Sequence, residues 1–177
     1  MRRISPCNLY FENATAMSSR RNARERVVQA LYAFELGGGE ESAVINRIIR
    51  PGFDDDPTAF AFAESLFLAT LDIRDQSEKL IRRHARNWEL SRIALVDRLI
   101  LRMAICELLK FEDIPPKVSI NEAIDIAKKY STANSGRFVN GILDAVVAEL
   151  VEEGALRKSG RGRVGLESIS GTNGAST

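Results

Sequence analysis

The sequence is 177 residues long, 45% hydrophobic and 28% charged, with a formal net charge of +1. That is enough material for one soluble domain with a real core and too little for a comfortable second one. No apolar run reaches the ~18 residues that a membrane span needs, and Met1 to Ala16 lacks the continuous apolar stretch of an export signal. A cytoplasmic chain is therefore expected, and Asn13-Ala14-Thr15 is read as a chance sequon.

The near-neutral total hides a segregation of charge. The first 26 residues hold six Arg against two Glu, whereas Glu35 to Phe60 holds six acids against two Arg. A basic end of this kind suits either plain solvation or a face offered to nucleic acid. Residues 1–19 show no periodicity and contain Pro6 and Met17, so they are expected to be a disordered leader, dispensable for folding, with Met17 a possible start of translation. Residues 155–177, rich in Gly, Ser and Thr, are expected to be a disordered tail.

Between these ends, residues 20–154 read as helix throughout, with no sustained alternation of the kind a half-buried strand requires. The first helix is predicted from Arg20 to Leu36, with Ala23, Val27, Ala30, Leu31 and Phe34 on one stripe and Gly37-Gly38-Gly39 as its stop. A short helix carrying Val44, Ile45, Ile48 and Ile49 ends before Pro51-Gly52. Asp56 can cap the third helix and Pro57 can occupy its first position; its apolar set, from Phe60 to Ile81, predicts one long helix reaching the mid-80s.

After a turn between Asn87 and Ser91, a helix containing Leu95, Leu99, Ile100, Met103, Ala104, Cys106 and Leu108 is apolar over more than half its circumference and should be central. Pro115-Pro116 ends it. Ser119-Ile120-Asn121-Glu122 has the spacing of a capping box, and Ile120, Ala123, Ile124 and Ala127 follow as a buried stripe. The last helix carries Phe138, Val139, Ile142, Leu143, Val146, Val147 and Leu150 and closes at Gly154. An all-α compact bundle of six or seven helices results.

No catalytic constellation is found. Cys7 and Cys106 have neither a bridge partner nor metal-knuckle spacing, and His84, the single histidine, sits in the basic helix end Arg82-Arg83-His84-Ala85-Arg86, where solvation is its simplest role. Asp54-Asp55-Asp56 lacks the alternation of a calcium loop, and Glu107, Glu112 and Asp113 are no evidence of acid-base work. Neither an enzyme nor a cofactor or metal is expected.

The first helix is more informative. Arg20, Arg21, Arg24 and Arg26 crowd its expected start, where the helix dipole is already positive, so an external anion such as phosphate would compensate them. Tyr32 shares a flank with Arg21 and Glu25. It either stacks on an unpaired base or merely borders the core with its hydroxyl in water, and this helix by itself leaves both readings open.

Several ordered segments carry a resemblance to one family. Arg20-Arg21-Asn22-Ala23-Arg24-Glu25-Arg26-Val27-Val28-Gln29-Ala30-Leu31-Tyr32 resembles the opening helix of the NusB transcription antitermination family, and the run from Pro116 to Tyr130, PKVSINEAIDIAKKY, resembles its most distinctive segment. Phe138-Val139-Asn140-Gly141 is similar to the family's signature at the expected distance, and Asp97-Arg98 with Ile100 to Ala104 resembles the helix between.

The resemblance implies a NusB-like helical domain that binds boxA RNA together with NusE, a small-subunit ribosomal protein, and makes RNA polymerase read through terminators. It implies RNA contacts at Arg20, Arg21, Arg24, Tyr32, Lys117, Arg137 and Phe138, and a NusE-facing acid at Asp97 near the start of its helix. Asn22 within the basic run and Asn134 in the polar turn depart from the common pattern, which bears on RNA affinity. For Asn121, Glu122 and Gly141 a structural role is favoured: capping and bracing for the first two and close helix packing for the glycine. Asn140 could satisfy a buried carbonyl and Phe138 could fill the core.

The rival reading is a helical protein-interaction or ribosome-assembly module without sequence-specific RNA binding. A similar domain also precedes certain ribosomal RNA methyltransferases, but nothing after Gly154 is expected to hold a cofactor-binding sheet. Monomer and homodimer both remain open.

Overall fold

The structure is a computed structural model that describes residues 6–85, 93–132 and 134–165, with side chains described from Ser19 onward. Among these residues there are seven α-helices and no strand, so the chain is all-α and the helix count meets the expectation. The expected turn at Asn87 to Ser91 and the side chain of Cys7 lie outside the described residues. The chain groups into two compact units that meet between Phe67 and Leu68, where length alone suggests one.

The first unit holds α1 (Pro6–Gly37), α2 (Glu41–Val44) and the first part of α3 (Pro57–Asp72). α1 starts far ahead of Arg20 and takes up much of the leader that was expected to be disordered. Pro6 at its first position explains the start, since a proline there lacks only an amide that has no helical partner. The arginines from Arg20 to Arg26 therefore lie within the helix and not at its positive end, and the dipole argument for an external anion falls.

Ala23, Val27, Ala30 and Leu31 are buried as the stripe requires, and Phe34 meets Phe67 edge to face with ring centroids 6.1 Å apart. Gly38 and Gly39 stop the helix at φ of 62° and 98°, a left-handed backbone that side chains disfavour. α2 continues without a break into a π-helical turn, Ile45–Ile49, and a 3-10 turn, Arg50–Gly52. Burial of Ile45 and Ile49 favours keeping the chain helical, while Pro51 cannot extend an α-helical ladder.

Asp56 caps α3 as expected, its Oδ1 accepting from the Ala59 amide at 2.9 Å. The Ser19 hydroxyl donates to Oδ2, and this bond first, then the Ala59 amide, holds the Asp56 carboxyl below its ordinary value.

The second unit holds the end of α3 with α4 (Arg74–His84), α5 (Leu95–Lys110), α6 (Pro116–Tyr130) and α7 (Ser135–Glu152). The long third helix expected from the apolar pattern is divided at Ile73, whose ψ of 21° departs from helical geometry. Just beyond the break, the hydroxyl of buried Ser77 reaches the carbonyls of Ile73 at 3.1 Å and Arg74 at 2.9 Å, adding to the Ser77 amide bond to Ile73 at 2.9 Å.

α5 is central, as its apolar circumference demands. Leu99 to Leu108 are buried without exception, and the helix packs against α4, α6 and α7. Burial pushes the Cys106 thiol up to about 12.

The capping box at Ser119 does not form. α6 begins earlier, at Pro116, because Pro115 is held extended and Pro116 suits the first helical position. Ser119 then lies inside the helix, buried, and its hydroxyl donates to Glu107 Oε2 on α5 at 2.7 Å.

α6 and α7 form a helical hairpin. Val139, Ile142, Leu143, Val146, Val147 and Leu150 make the buried face of α7. Arg83 and His84, at the end of α4, both pair with Glu149 on α7, so His84 has a carboxylate partner where solvation was expected. The close-packing role expected of Gly141 is not seen, since a Cβ there would touch nothing within 4 Å. Gly136 has that role: a Cβ would come within 3.2 Å of Lys128 Cγ.

Beyond Gly154 the chain is held against the helices at Lys158 and Gly162, in contrast to the disordered tail expected from 155 on; residues 166–177 lie outside the described residues. Lys158 is 8% exposed and donates to the carbonyls of Glu107 at 3.1 Å and Phe111 at 2.8 Å, while the Ser159 amide donates to the Glu112 carbonyl at 3.0 Å. Both carbonyls also accept a backbone amide, Glu107 from Phe111 at 3.2 Å and Phe111 from Ile114 at 3.3 Å, and the Lys158 ammonium adds a second donor to each.

Candidate nucleic-acid interface

The residues expected to contact RNA fall into three groups. The first is on α1. Arg20 and Arg24 lie four residues apart and both guanidinium groups sit over the Phe62 ring, at 5.2 and 5.4 Å from its centroid. Desolvated guanidinium groups on an aromatic face are held by the ring quadrupole and by packing of their stems. Arg24 is only 3% exposed and donates to the Arg20 carbonyl at 3.3 Å, so it acts from inside the fold. Arg26 is likewise turned inward: it donates to the Ile48 carbonyl at 3.2 Å, and its guanidinium fills the space where a Cβ on Gly52 would sit.

Arg21 and Tyr32 differ from these. Both are exposed, Tyr32 by 41%, and at 100° per residue their separation returns them to nearly the same azimuth of α1, with Glu25 and Gln29 between them. An exposure of 41% is what a ring bordering the core with its hydroxyl in water shows, and it also leaves a ring face open to a base.

The second group is at the α6–α7 turn. Arg137 is exposed and Phe138 half-buried in the first turn of α7, so Phe138 neither fills the core nor stands clear of it. Lys128 lies against Gly136, and Lys129 sits over the Tyr130 ring at 5.1 Å. Two cations and an exposed aromatic thus stand at the end of α6, beside Arg137. They were missed in the sequence although Lys128-Lys129-Tyr130 is a basic pair followed by an aromatic. Asn140 donates to Asp144 at 2.8 Å on the exposed side of α7 and serves no buried carbonyl.

Asp97 lies close to this turn but is 6% exposed. Its Oδ2 accepts from the Ser135 hydroxyl at 2.8 Å, and the Ser135 oxygen in turn lies 2.9 Å from the Ser131 hydroxyl and accepts from the Thr132 amide at 3.2 Å. The carboxylate anchors the start of α7 to α5. Arg98, the next residue, faces Glu78 on α4 at 3.3 Å.

Lys117 forms the third group. It stands at the opposite end of α6 from Lys128, roughly 16 Å along the axis at about 1.5 Å per residue. Its side chain lies beside Gly165, where a Cβ would be 3.4 Å from Lys117 Cδ. The structure does not bring Lys117 together with Arg137 and Phe138. Among the described residues no group of three His, Cys, Asp or Glu could hold a metal, and no helix is long and apolar enough to cross a membrane.

An exposed arginine with a tyrosine on one helical face, a basic turn beside an anchored α7, and the all-α architecture agree with what comparison with known proteins finds. The NusB family model matches residues 21–148. The chain belongs to the NusB family. It is similar to the transcription antitermination protein NusB of Salinibacter ruber, with 49% identity over 160 residues that cover 90% of this chain and 100% of the relative. With the protein of the same name from Chloroherpeton thalassium it shares 45% identity over 148 residues, 84% of this chain and 70% of the relative.

Among solved structures it is similar to T. maritima NusB, with a TM-score of 0.67 and 38% identity over 73% of this chain and 91% of that one. A second similar structure is a complex of NusB and NusE with double-stranded RNA, with a TM-score of 0.66 and 25% identity over 73% of this chain and 96% of that one. As a NusB-family protein the chain is a transcription antitermination factor, and α1 from Arg21 through α7 to Ala148 is the part shared with the family.

Proposed function

We propose that this NusB-family chain binds boxA-containing RNA together with NusE and that the assembly causes RNA polymerase to read through terminators during ribosomal RNA transcription. The observation that carries the RNA part is the exposure of both Arg21 and Tyr32 on one face of α1. A guanidinium fork binds phosphate oxygens, and a ring roughly 16 Å further along the same face, at about 1.5 Å per residue, offers a stacking platform to an unpaired base. The structure of NusB and NusE with double-stranded RNA supports the choice of partners.

Among the site residues, Arg21, Tyr32, Arg137 and Phe138 are assigned to direct RNA contact. Arg20 and Arg24, seated over Phe62, position α1. Asp97 contributes to NusE binding by fixing the start of α7. The chain works by binding, as a cytoplasmic factor, and no catalytic step is assigned to it.

The deciding experiment is titration of boxA RNA and of a scrambled control, each with and without NusE, at defined salt. The proposal expects boxA to bind more tightly than the control and NusE to increase the difference. Equal binding of the two RNAs in the presence of NusE would favour a protein-interaction module without sequence-specific RNA binding.

A further inference from the structure

We propose that residues 155–165, clipped across the α5–α6 turn, form a second phosphate-binding surface with Lys117 that holds RNA flanking the recognised element. This rests on the RNA-binding reading above and extends it to a part of the chain beyond the family model, which ends at residue 148.

The segment Arg157-Lys158-Ser159-Gly160-Arg161-Gly162-Arg163 places four cations in seven residues without an acid. Of these four cations Lys158 alone is buried; it donates to the Glu107 and Phe111 carbonyls and, with the Ser159 amide on the Glu112 carbonyl, fastens the segment to the end of α5. Gly162 permits this approach, since a Cβ there would fall 1.8 Å from the Glu112 carbonyl oxygen. Arg157, Arg161 and Arg163 are exposed, and Arg163 donates to the Lys158 carbonyl at 3.2 Å, which stiffens the turn.

The segment ends at Gly165 against Lys117, and Lys110 is exposed at the last turn of α5. Glu112 and Asp113 are the exposed acids of the α5–α6 turn and offset part of this charge; the balance stays basic. An anchored backbone removes part of the entropy that a mobile arginine tail would lose on binding. The exposed cations of the segment are all arginine, whose planar fork fits phosphate. Val164 is the exposed apolar residue of the segment, so an acidic protein with an apolar anchor is the rival occupant and is tested alongside RNA.

The location also explains why Lys117 stands apart from Arg137 and Phe138. An RNA engaged at the α6–α7 turn reaches the opposite end of α6 only if it extends beyond the recognised element.

The test uses the full chain with NusE and two RNAs, a minimal boxA strand and the same strand with a single-stranded extension. Arg157→Gln with Arg161→Gln removes two exposed charges and leaves Lys158, Arg163 and the clip in place. The double variant should bind the minimal strand as the unaltered chain does. On the extended strand its logarithmic salt slope should fall by up to ~1.4, from about 0.7 per phosphate contact, and affinity near 0.1 M salt should fall roughly tenfold or more.

Lys158→Ala, which keeps both arginines but opens the clip, should reproduce the loss on the extended strand and speed hydrogen exchange at the Ser159 and Gly162 amides. Unchanged slope and affinity for the double variant on the extended strand overturn the second surface while leaving the boxA reading intact. Failure of the unaltered chain to bind either RNA overturns both. A double variant that keeps its RNA affinity but loses binding to a polyglutamate peptide reassigns the surface to an acidic protein.

Discussion

Ser135 Oγ and Asp97 Oδ2 are 2.8 Å apart and buried, so the first residue of α7 is tied to the first turn of α5 by a hydroxyl-to-carboxylate bond. The family resemblance makes Asp97 a surface acid that meets NusE; the structure makes it the fixed point from which Arg137 and Phe138 are presented.

Asp97 variants separate these roles. Asp97→Ala should destabilise the protein by about 1–3 kcal/mol, the cost of leaving buried hydrogen-bonding groups without partners. Asp97→Lys should cost more, because it buries a cation beside donors, whereas Asp97→Asn retains an acceptor for Ser135 and should cost least. Urea unfolding alongside NusE titration checks this. An Asp97→Lys protein of full stability that has lost NusE affinity would return the residue to the partner surface.

Ser119 gives a second contrast between a local rule and a tertiary contact. A capping box would couple Ser119 energetically to Glu122, while the observed bond of 2.7 Å couples it to Glu107 on α5. A double-mutant cycle of Ser119→Ala with Glu107→Ala should show a coupling of roughly 0.5–3 kcal/mol, larger than the cycle of Ser119→Ala with Glu122→Ala. The reverse order would mean that the local cap dominates in solution.

What the sequence makes legible is whatever depends on periodicity and local backbone chemistry. The α7 stripe from Val139 to Leu150, the glycine stop after α1 and the Asp56 cap each follow from neighbours a few residues away. What it conceals depends on partners distant in the chain. Arg21 and Arg24 are the same residue type in the same basic run, yet Arg24 is turned inward by Phe62. Similarly, Lys158 looks like part of a loose tail until the Glu107 and Phe111 carbonyls at the end of α5 are placed beside it. The division at Ile73 escapes notice because the buried apolar pattern, with Ile73, Leu80 and Ile81, runs on through it.

Cys106 allows a prediction about pH. Burial raises its thiol from 9.0 to about 12, so the folded state disfavours the thiolate. The resulting stabilisation is present in full below pH 9 and is lost as pH rises from there towards 12, because the unfolded chain releases its proton first. In a Cys7→Ser background, which leaves one thiol, Cys106 should react with a thiol reagent at the rate of unfolding. Rapid labelling of the native protein near neutral pH would show that the α5 core opens locally.

The last prediction concerns α1, where burial divides arginines that composition treats alike. Arg21→Ala should leave the fold intact, weaken binding to every RNA and reduce the logarithmic salt slope by up to ~0.7, one phosphate's share for a single strand. Arg24→Ala should instead act on stability. It removes a guanidinium that is 3% exposed and lies 5.4 Å from the Phe62 centroid, an interaction worth about 0.5–2 kcal/mol before the lost packing is added. Any loss of RNA affinity in that variant should follow the unfolded fraction measured by circular dichroism. Tyr32→Ala should change the salt slope little and, if the ring stacks on a base, cost on the order of 1–3 kcal/mol of binding in a protein that stays folded. A folded Arg21→Ala protein with unaltered boxA affinity and salt slope would remove α1 from the RNA surface and leave the α6–α7 turn, with Lys128, Lys129 and Arg137, as the place where RNA is held.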